Sequence, residues 1–222
     1  MHDANKNEPD TRQKLLDAAA RLFAERGFKD VSVREICKEA GGANVAAVNY
    51  YFRDKAGLYR ELLEQMVEVH WKPDRERLAA AFEGKPPEEK LYMYVRGFIG
   101  GLLKDTDEQT MVLQKLLNRE MAEPSPEFEV IFKKGMRPNF RMLCEVIGEL
   151  VRVPPEDQIA IGCANSVMGQ CLIYHSARKL SKYFYPGMEF TPAVIDGIAR
   201  HVVTFSLAGI RAVAQKEPGG KR

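Results

Sequence analysis

The chain has 222 residues, 45% of them hydrophobic and 29% charged, with a formal net charge of +2. That is enough length and apolar content for one or two filled cores, and it excludes a disordered or collagen-like chain. It also excludes a broadly polycationic coat for nucleic acid, so any positive surface must come from where individual lysines and arginines are placed.

Residues 1–9 are polar, lack the apolar run of a signal peptide and read as a flexible arm. A first helix is predicted to begin near Asp10, with Gln13 as its capping partner. Leu15, Leu16, Ala19, Leu22 and Phe23 form its inner stripe, and Gly27 ends it. Phe28 and Val31 are expected to plug the small core that follows.

The stretch from Ser32 to Lys55 carries the densest pattern. Ser32 and Glu35 make an S-x-x-E capping box, so a helix should start at Val33, with Val33, Ile36, Cys37 and Ala40 on one stripe. Gly41 and Gly42 supply a tight reversal, and Asn44 is placed to cap a second short helix. Two short helices around a glycine turn are the outline of a helix-turn-helix. On a period of about 3.6 residues, Val45, Val48 and Phe52 face inward. Ala46, Ala47, Tyr50 and Tyr51 face outward, with Asn49 on the flank. A nearly uncharged outward face suits a DNA major groove: alanines allow close approach, Asn49 can pair with an adenine edge, and tyrosine hydroxyls reach phosphates. The same pattern is compatible with a plain three-helix packing unit whose tyrosines are half buried.

Asp54 can cap a fourth helix from Lys55 toward Trp71, with Leu58, Leu62, Met66 and Val69 on its inner edge, Leu63 and Val67 beside them, and Pro73 as its stop. A short segment from Arg75 to Phe82 is closed by Gly84 and Pro86-Pro87. Residues 88–104 form a helix interrupted by Gly97, Gly100 and Gly101, either for close helix packing or as a hinge. Further helices are predicted from Glu108 to Glu123, from Glu127 to Arg152 with interruptions at Gly135 and Pro138, from Asp157 to Leu180, and from Thr191-Pro192 to Lys216. No strand alternation is present, so the fold class is all-α. The last two long helices are apolar on more than one face, which predicts a homodimer built by pairing them across a two-fold axis.

With the preceding helix, the stretch TRQKLLDAAARLFAERGFKDVSVREICKEAGGANVAAVNYYFRDKAGLYRELL closely resembles the DNA-binding domain of TetR/AcrR-family transcriptional regulators. The AAxxLFAExGF, VSVREI and YYFxxKxxLY motifs carry the likeness, over roughly residues 10–70. REMAEPSPEFE resembles a CecR-like subgroup of that family. The resemblance implies this organisation: arm 1–9, helix-turn-helix domain 10–54, connecting helix 55–72, a helical ligand-binding and dimerisation domain 73–216, and a tail 217–222. It implies a dimer on double-stranded operator DNA, with Ser32, Arg34, Tyr50, Tyr51 and Lys55 toward phosphates, Ala46, Ala47 and Asn49 toward the bases, and Asn44 among the DNA-binding residues. It also implies an unknown small-molecule effector. Candidates to hold that effector are Met93, Arg96, Phe98, Met111, Gln114, Leu117, Arg119, Met121, Met168 and His175, with Glu120 among the polar groups near them. The alternative reading is a helical ligand carrier or interaction module with a vestigial helix-turn-helix.

No catalytic motif, metal-ligand spacing or cofactor fingerprint is found, so neither a cofactor nor an enzymatic activity is expected. Cys37, Cys144, Cys163 and Cys171 lack C-x-x-C spacing and read as buried, reduced thiols. No stretch is expected to reach the ~20 apolar residues of a membrane span, and the location expected is cytoplasmic.

Overall fold

The computed structural model describes residues 8–103, 108–176, 183, 186–187 and 189–215. Arm residues 1–7, the tail 217–222 and the predicted helix ends at Leu180 and Lys216 lie outside the described residues. The helices are α1 (Glu8–Arg26), α2 (Val33–Glu39), α3 (Val45–Phe52), α4 (Lys55–Met66), α5 (Lys72–Ala81), α6 (Pro87–Leu103), α7 (Glu108–Ala122), α8 (Phe128–Val130), α9 (Arg137–Val151), α10 (Gln158–Ser176) and α11 (Pro192–Gln215). Two π-helical turns, Val67–Trp71 and Ile131–Met136, join α4 to α5 and α8 to α9. Among the described residues there is no strand.

Contacts divide the chain into two compact units, Met1–Pro73 with Thr106–Met136, and Asp74–Asp105 with Arg137–Arg222. One break between the units lies at residue 73. The grouping of 106–136 with the N-terminal helices does not follow from the boundaries 73–216. Its cause is burial: Leu116 and Ile131 are sealed into the same apolar cluster as Leu15, Phe23, Leu58 and Leu63. The second unit has its own core, with Leu91, Val95 and Ile99 of α6 against Leu143 and Ile147 of α9, Val167 of α10 and Val202 of α11.

Several boundaries differ from the expectation for local reasons. α1 begins at Glu8 rather than near Asp10, because a proline is tolerated in a first helical turn. Gln13 donates to Asp17, four residues on. Pro73 does not stop the fourth helix, and Pro138 does not break the later one. Each proline sits just after a π-helical turn, whose wider hydrogen-bond register relieves the demand for an N–H at that position. The extra residue in the first π turn also rotates the inner stripe. Val67 is buried and Trp71 packs on the core, while Val69, expected inside, is 64% exposed.

The two π turns belong to one unit and meet there. A Cβ placed on Gly135 would lie 2.2 Å from Trp71 Cε3 and 3.2 Å from Val67 Cγ2, so only glycine lets the indole seat. The salt bridge Lys134 Nζ–Glu64 Oε1, 2.7 Å, spans the same junction. In α6, Cβ atoms at Gly97 and Gly101 would meet nothing within 4 Å, and one at Gly100 only Ile195 Cγ2 at 4.0 Å. Close packing therefore does not explain Gly97 and Gly101.

α11 departs from the expectation about apolar length. It is long and apolar enough by length and composition to cross a membrane, with a mean hydropathy of 1.4, yet only 33% of that stretch is buried. The cause is that Ile195, Ile198, Val202, Val203 and Ile210 face the core while Phe205 and Val213 lie open on other faces.

Gly135→Ala is expected to lower stability by about 1–3 kcal/mol by overpacking against Trp71, read from the urea midpoint at constant slope. Gly97→Ala is expected to raise it by about 0.5–1 kcal/mol. Equal effects of the two would remove the distinction between a seat and an open glycine.

Candidate nucleic-acid interface

The Ser32–Lys55 stretch folds through the caps legible in its letters. Ser32 Oγ accepts from Glu35 N at 3.3 Å, and Ser32 N donates to Glu35 Oε2 at 2.8 Å, which closes the capping box. Arg26 Nη2 pairs with Glu35 Oε1 at 2.7 Å. Hydrogen bonds from Ser32, with Arg26 beside it, hold the Glu35 carboxyl at about 2, well below its ordinary 4.5. Ala40 is the C-cap of α2, and Gly41 and Gly42 take φ of +86° and +83°, the left-handed region where a side chain is strained. Their N–H groups return to Lys38 O and Cys37 O at 3.2 and 3.0 Å. Asn44 Oδ1 then accepts from Ala46 N at 2.9 Å and starts α3.

α3 buries Val48 and Phe52 against α1 and α4. Ala46, Asn49 and Tyr50 are exposed, Tyr50 at 74%. Ala47 and Tyr51, expected outward, are half-buried flanks packed on the core, with Tyr51 edge-on to Tyr50 at 4.9 Å. Val45, expected inward, is 38% exposed, because the first helical residue lies beyond the core's edge. The open face is thus Val45, Ala46, Asn49, Tyr50 and Arg53. Arg53 closes the helix at φ 73° with its N–H on Asn49 O at 3.1 Å. Val45 and Arg53 were not among the sequence-derived candidates, although i, i+4 spacing from Asn49 would have found both. Ser32 and Arg34 are exposed at the start of α2.

Lys55 is placed differently from the phosphate contact expected of it. Its Nζ donates to Phe28 O at 2.8 Å and Val31 O at 2.9 Å, and lies 4.3 Å from the Phe28 ring centroid. The lysine thus ties the start of α4 to the loop between α1 and α2. Asp54 caps α4 by accepting from Gly57 N at 2.7 Å. Phe28 and Phe23 flank Tyr59 at 4.9 and 4.7 Å, which makes an aromatic core under this loop.

The last turn of α7 and the segment after it hold this head from behind. Tyr59 Oη donates to the buried Glu120 Oε1 at 2.5 Å, and Ser125 N and Oγ donate to Glu120 Oε2 at 3.1 and 3.0 Å. Burial, with Glu120 beside it, pushes the Tyr59 hydroxyl up. Arg119 Nε donates to Ala24 O at 2.9 Å and Arg119 Nη2 to Glu25 O, which satisfies carbonyls at the end of α1. Arg60 Nε–Glu127 Oε2, 2.7 Å, and Lys29 Nζ–Glu123 Oε1, 2.5 Å, complete the set.

The ligand candidates divide between the two units. Met111, Gln114, Leu117, Arg119 and Met121 belong to the first unit, where Leu117 packs on its core, Met111 and Met121 are exposed, and Arg119 is spent on α1. Met93, Arg96, Phe98, Met168 and His175 belong to the second. There Phe98 stacks on Tyr94, Met168 packs on the core, His175 Nδ1 lies 3.3 Å from Leu102 O, and Arg96 Nε donates to Asp196 at 3.2 Å. Cys37, Cys144, Cys163 and Cys171 are all buried. Desolvation raises each thiol, Cys171 to about 12, which disfavours the reactive thiolate.

Residues 15–62 match the profile for bacterial regulatory proteins of the tetR family, and residues 87–210 that for the C-terminal domain of the HTH-type transcriptional dual regulator CecR. The chain is 36% identical over 85 residues to the probable HTH-type transcriptional regulator YttP of Bacillus subtilis, a match that spans 38% of this chain and 40% of that protein. It is 24% identical over 176 residues to CecR of Shigella flexneri, spanning 76% and 77%. Its fold is similar to that of AibR in complex with isovaleryl coenzyme A and operator DNA, with a TM-score of 0.60 and 18% identity over 88% of this chain and 97% of that one.

Lys55→Met is expected to cost about 1.5–3 kcal/mol, the range for hydrogen bonds from a charged donor, in denaturant unfolding. Unchanged stability with lost DNA affinity would instead assign Lys55 to phosphate. Because the Glu35 pKa is depressed on folding, its contribution is present above pH 4.5 and is lost as pH falls toward about 2. The stability gap between the parent and Glu35→Gln should therefore close across that window in an acid titration.

Proposed function

The chain belongs to the TetR family of transcriptional regulators, DNA-binding proteins rather than enzymes, and from that premise we propose that it is a cytoplasmic, homodimeric, effector-released repressor of a palindromic operator. The observation that carries this reading is the open face of α3. Ala46, Asn49 and Tyr50 stand exposed without a charge among them, on a helix whose opposite side is locked into a core. Asn49 reads an adenine edge, Ala46 allows close approach, and Ser32, Arg34, Tyr50 and Arg53 serve the flanking phosphates.

Dimerisation runs through α10 and α11. Ile161, Leu172 and Ile173 on one and Phe205 and Val213 on the other are exposed apolar residues, interspersed with Gly162, Gly169 and Gly209, which admit close helix approach. The pair places two reading heads about 34 Å apart or a multiple of it. AibR is described with both isovaleryl coenzyme A and operator DNA, which supports an effector for this chain too. An effector that favours the wrongly spaced dimer by about 1.4 kcal/mol lowers operator affinity tenfold.

The test is selection of bound fragments from the parent genome by the purified chain. Enrichment of a palindrome is expected, with Asn49→Ala losing about 5–150-fold in discrimination between matched and mismatched sites. Equal, weak binding to random and promoter DNA at physiological salt would overturn the reading. A rise in transcripts beside the site on deletion supports repression, and a fall overturns it in favour of activation. A monomeric mass at micromolar concentration would remove the dimer.

A further inference from the structure

Arg75 lies on α5 in register with Leu78 and Phe82, at i, i+3 and i+7, and those two pack against the core of the second unit. An arginine on that stripe is directed along an apolar face rather than away from it. Its residue is half-buried, and its Nη1 is cut off from solvent with no hydrogen-bond partner. Among the described residues it is the buried side-chain nitrogen or oxygen in that condition. Five other arginines of the unit find carboxylates. Arg77 takes Asp74, the acid next to Arg75 in the chain; Arg96 and Arg200 share Asp196; Arg141 meets Glu145 and Glu156; Arg211 meets Glu88. A guanidinium nitrogen withdrawn from water without an acceptor is costly, and an acceptor supplied by another molecule is one way such a group is satisfied.

Resting on the effector-released reading above, we infer that Arg75 is the anchor for an acidic group of the effector, which is an amphipathic organic anion. The planar fork of the guanidinium matches a carboxylate or phosphate with two parallel hydrogen bonds. The apolar stripe on which it sits, with Leu78 and Phe82, suits the hydrocarbon part of the same molecule. Arg96 and Arg119, the arginines among the sequence-derived effector candidates, are already engaged with Asp196 and the end of α1.

The test is a thermal-shift comparison of the full chain and Arg75→Met with sodium octanoate, sodium sulfate and choline chloride at matched ionic strength. Octanoate is expected to raise the Tm of the parent, with half-saturation about tenfold weaker in Arg75→Met. Without additive the variant should melt at or above the parent, since the substitution removes a buried donor that has no acceptor. Choline should act on both alike, and sulfate only through its general exclusion from protein surfaces. An octanoate shift that survives Arg75→Met overturns the inference, as does the absence of any octanoate shift in the parent. A variant that melts several degrees lower with its octanoate response intact assigns Arg75 a structural role. A shift that depends on Arg75 for sulfate but not octanoate overturns the amphipathic class. Fragment binding is measured separately: a chain that binds no DNA but keeps the Arg75-dependent shift defeats the regulator reading and leaves the anion anchor standing.

Discussion

The buried carboxylate of Glu120 is the point on which the first unit turns. It sits at the end of α7, 61 positions along the chain from Tyr59, whose hydroxyl it accepts. Its other oxygen is filled by Ser125. A charge or polar group buried this deeply is tolerable only when its acceptors are occupied, so the geometry around it is tightly specified. Tyr59 in turn stacks edge-on to Phe23 of α1 and beside Phe28, over which Lys55 lies. One hydrogen bond thereby fixes α7 to the helices against which the α3 scaffold is packed.

The stretch REMAEPSPEFE acquires a physical meaning from this. Arg119, Glu120, Glu123, Ser125 and Glu127 all contribute to contacts with α1, α4, the loop after α1, or one another. The exposed pairs among them are weak individually, and Lys29–Glu123 stands in open solvent. Arg119 on the last carbonyls of α1 and Glu120 under Tyr59 are stronger, because one satisfies helix-end carbonyls and the other a buried hydroxyl. The π-helical turns supply a second seam in the same unit. There Trp71 rests on Gly135, and the prolines that follow each turn keep the helices going rather than ending them.

Much of this protein was legible in its letters because the signals are local. Ser32 with Glu35, Asn44 and Asp54 each cap the helix that follows, through groups two or three residues away. The 3.6-residue period placed Leu15, Leu16, Phe23, Ile36, Val48, Phe52 and Leu58 in the core, where they are. Periodicity failed where the period itself changed: Val69 turned outward because a π turn added a residue to the stripe ahead of it.

By itself, then, the sequence determined the all-α class, the double-glycine turn, the capped α3 and the family to which the chain belongs. Only the tertiary structure decided what the long charged side chains do. Lys55 reaches carbonyls of Phe28 and Val31, Arg119 those of Ala24 and Glu25, and Arg96 the carboxylate of Asp196, while Arg75 is left with a sealed nitrogen. The reason is physical. A helix cap or an apolar stripe is settled by neighbours within a few positions, whereas a flexible cation chooses among acceptors brought beside it by chain far away.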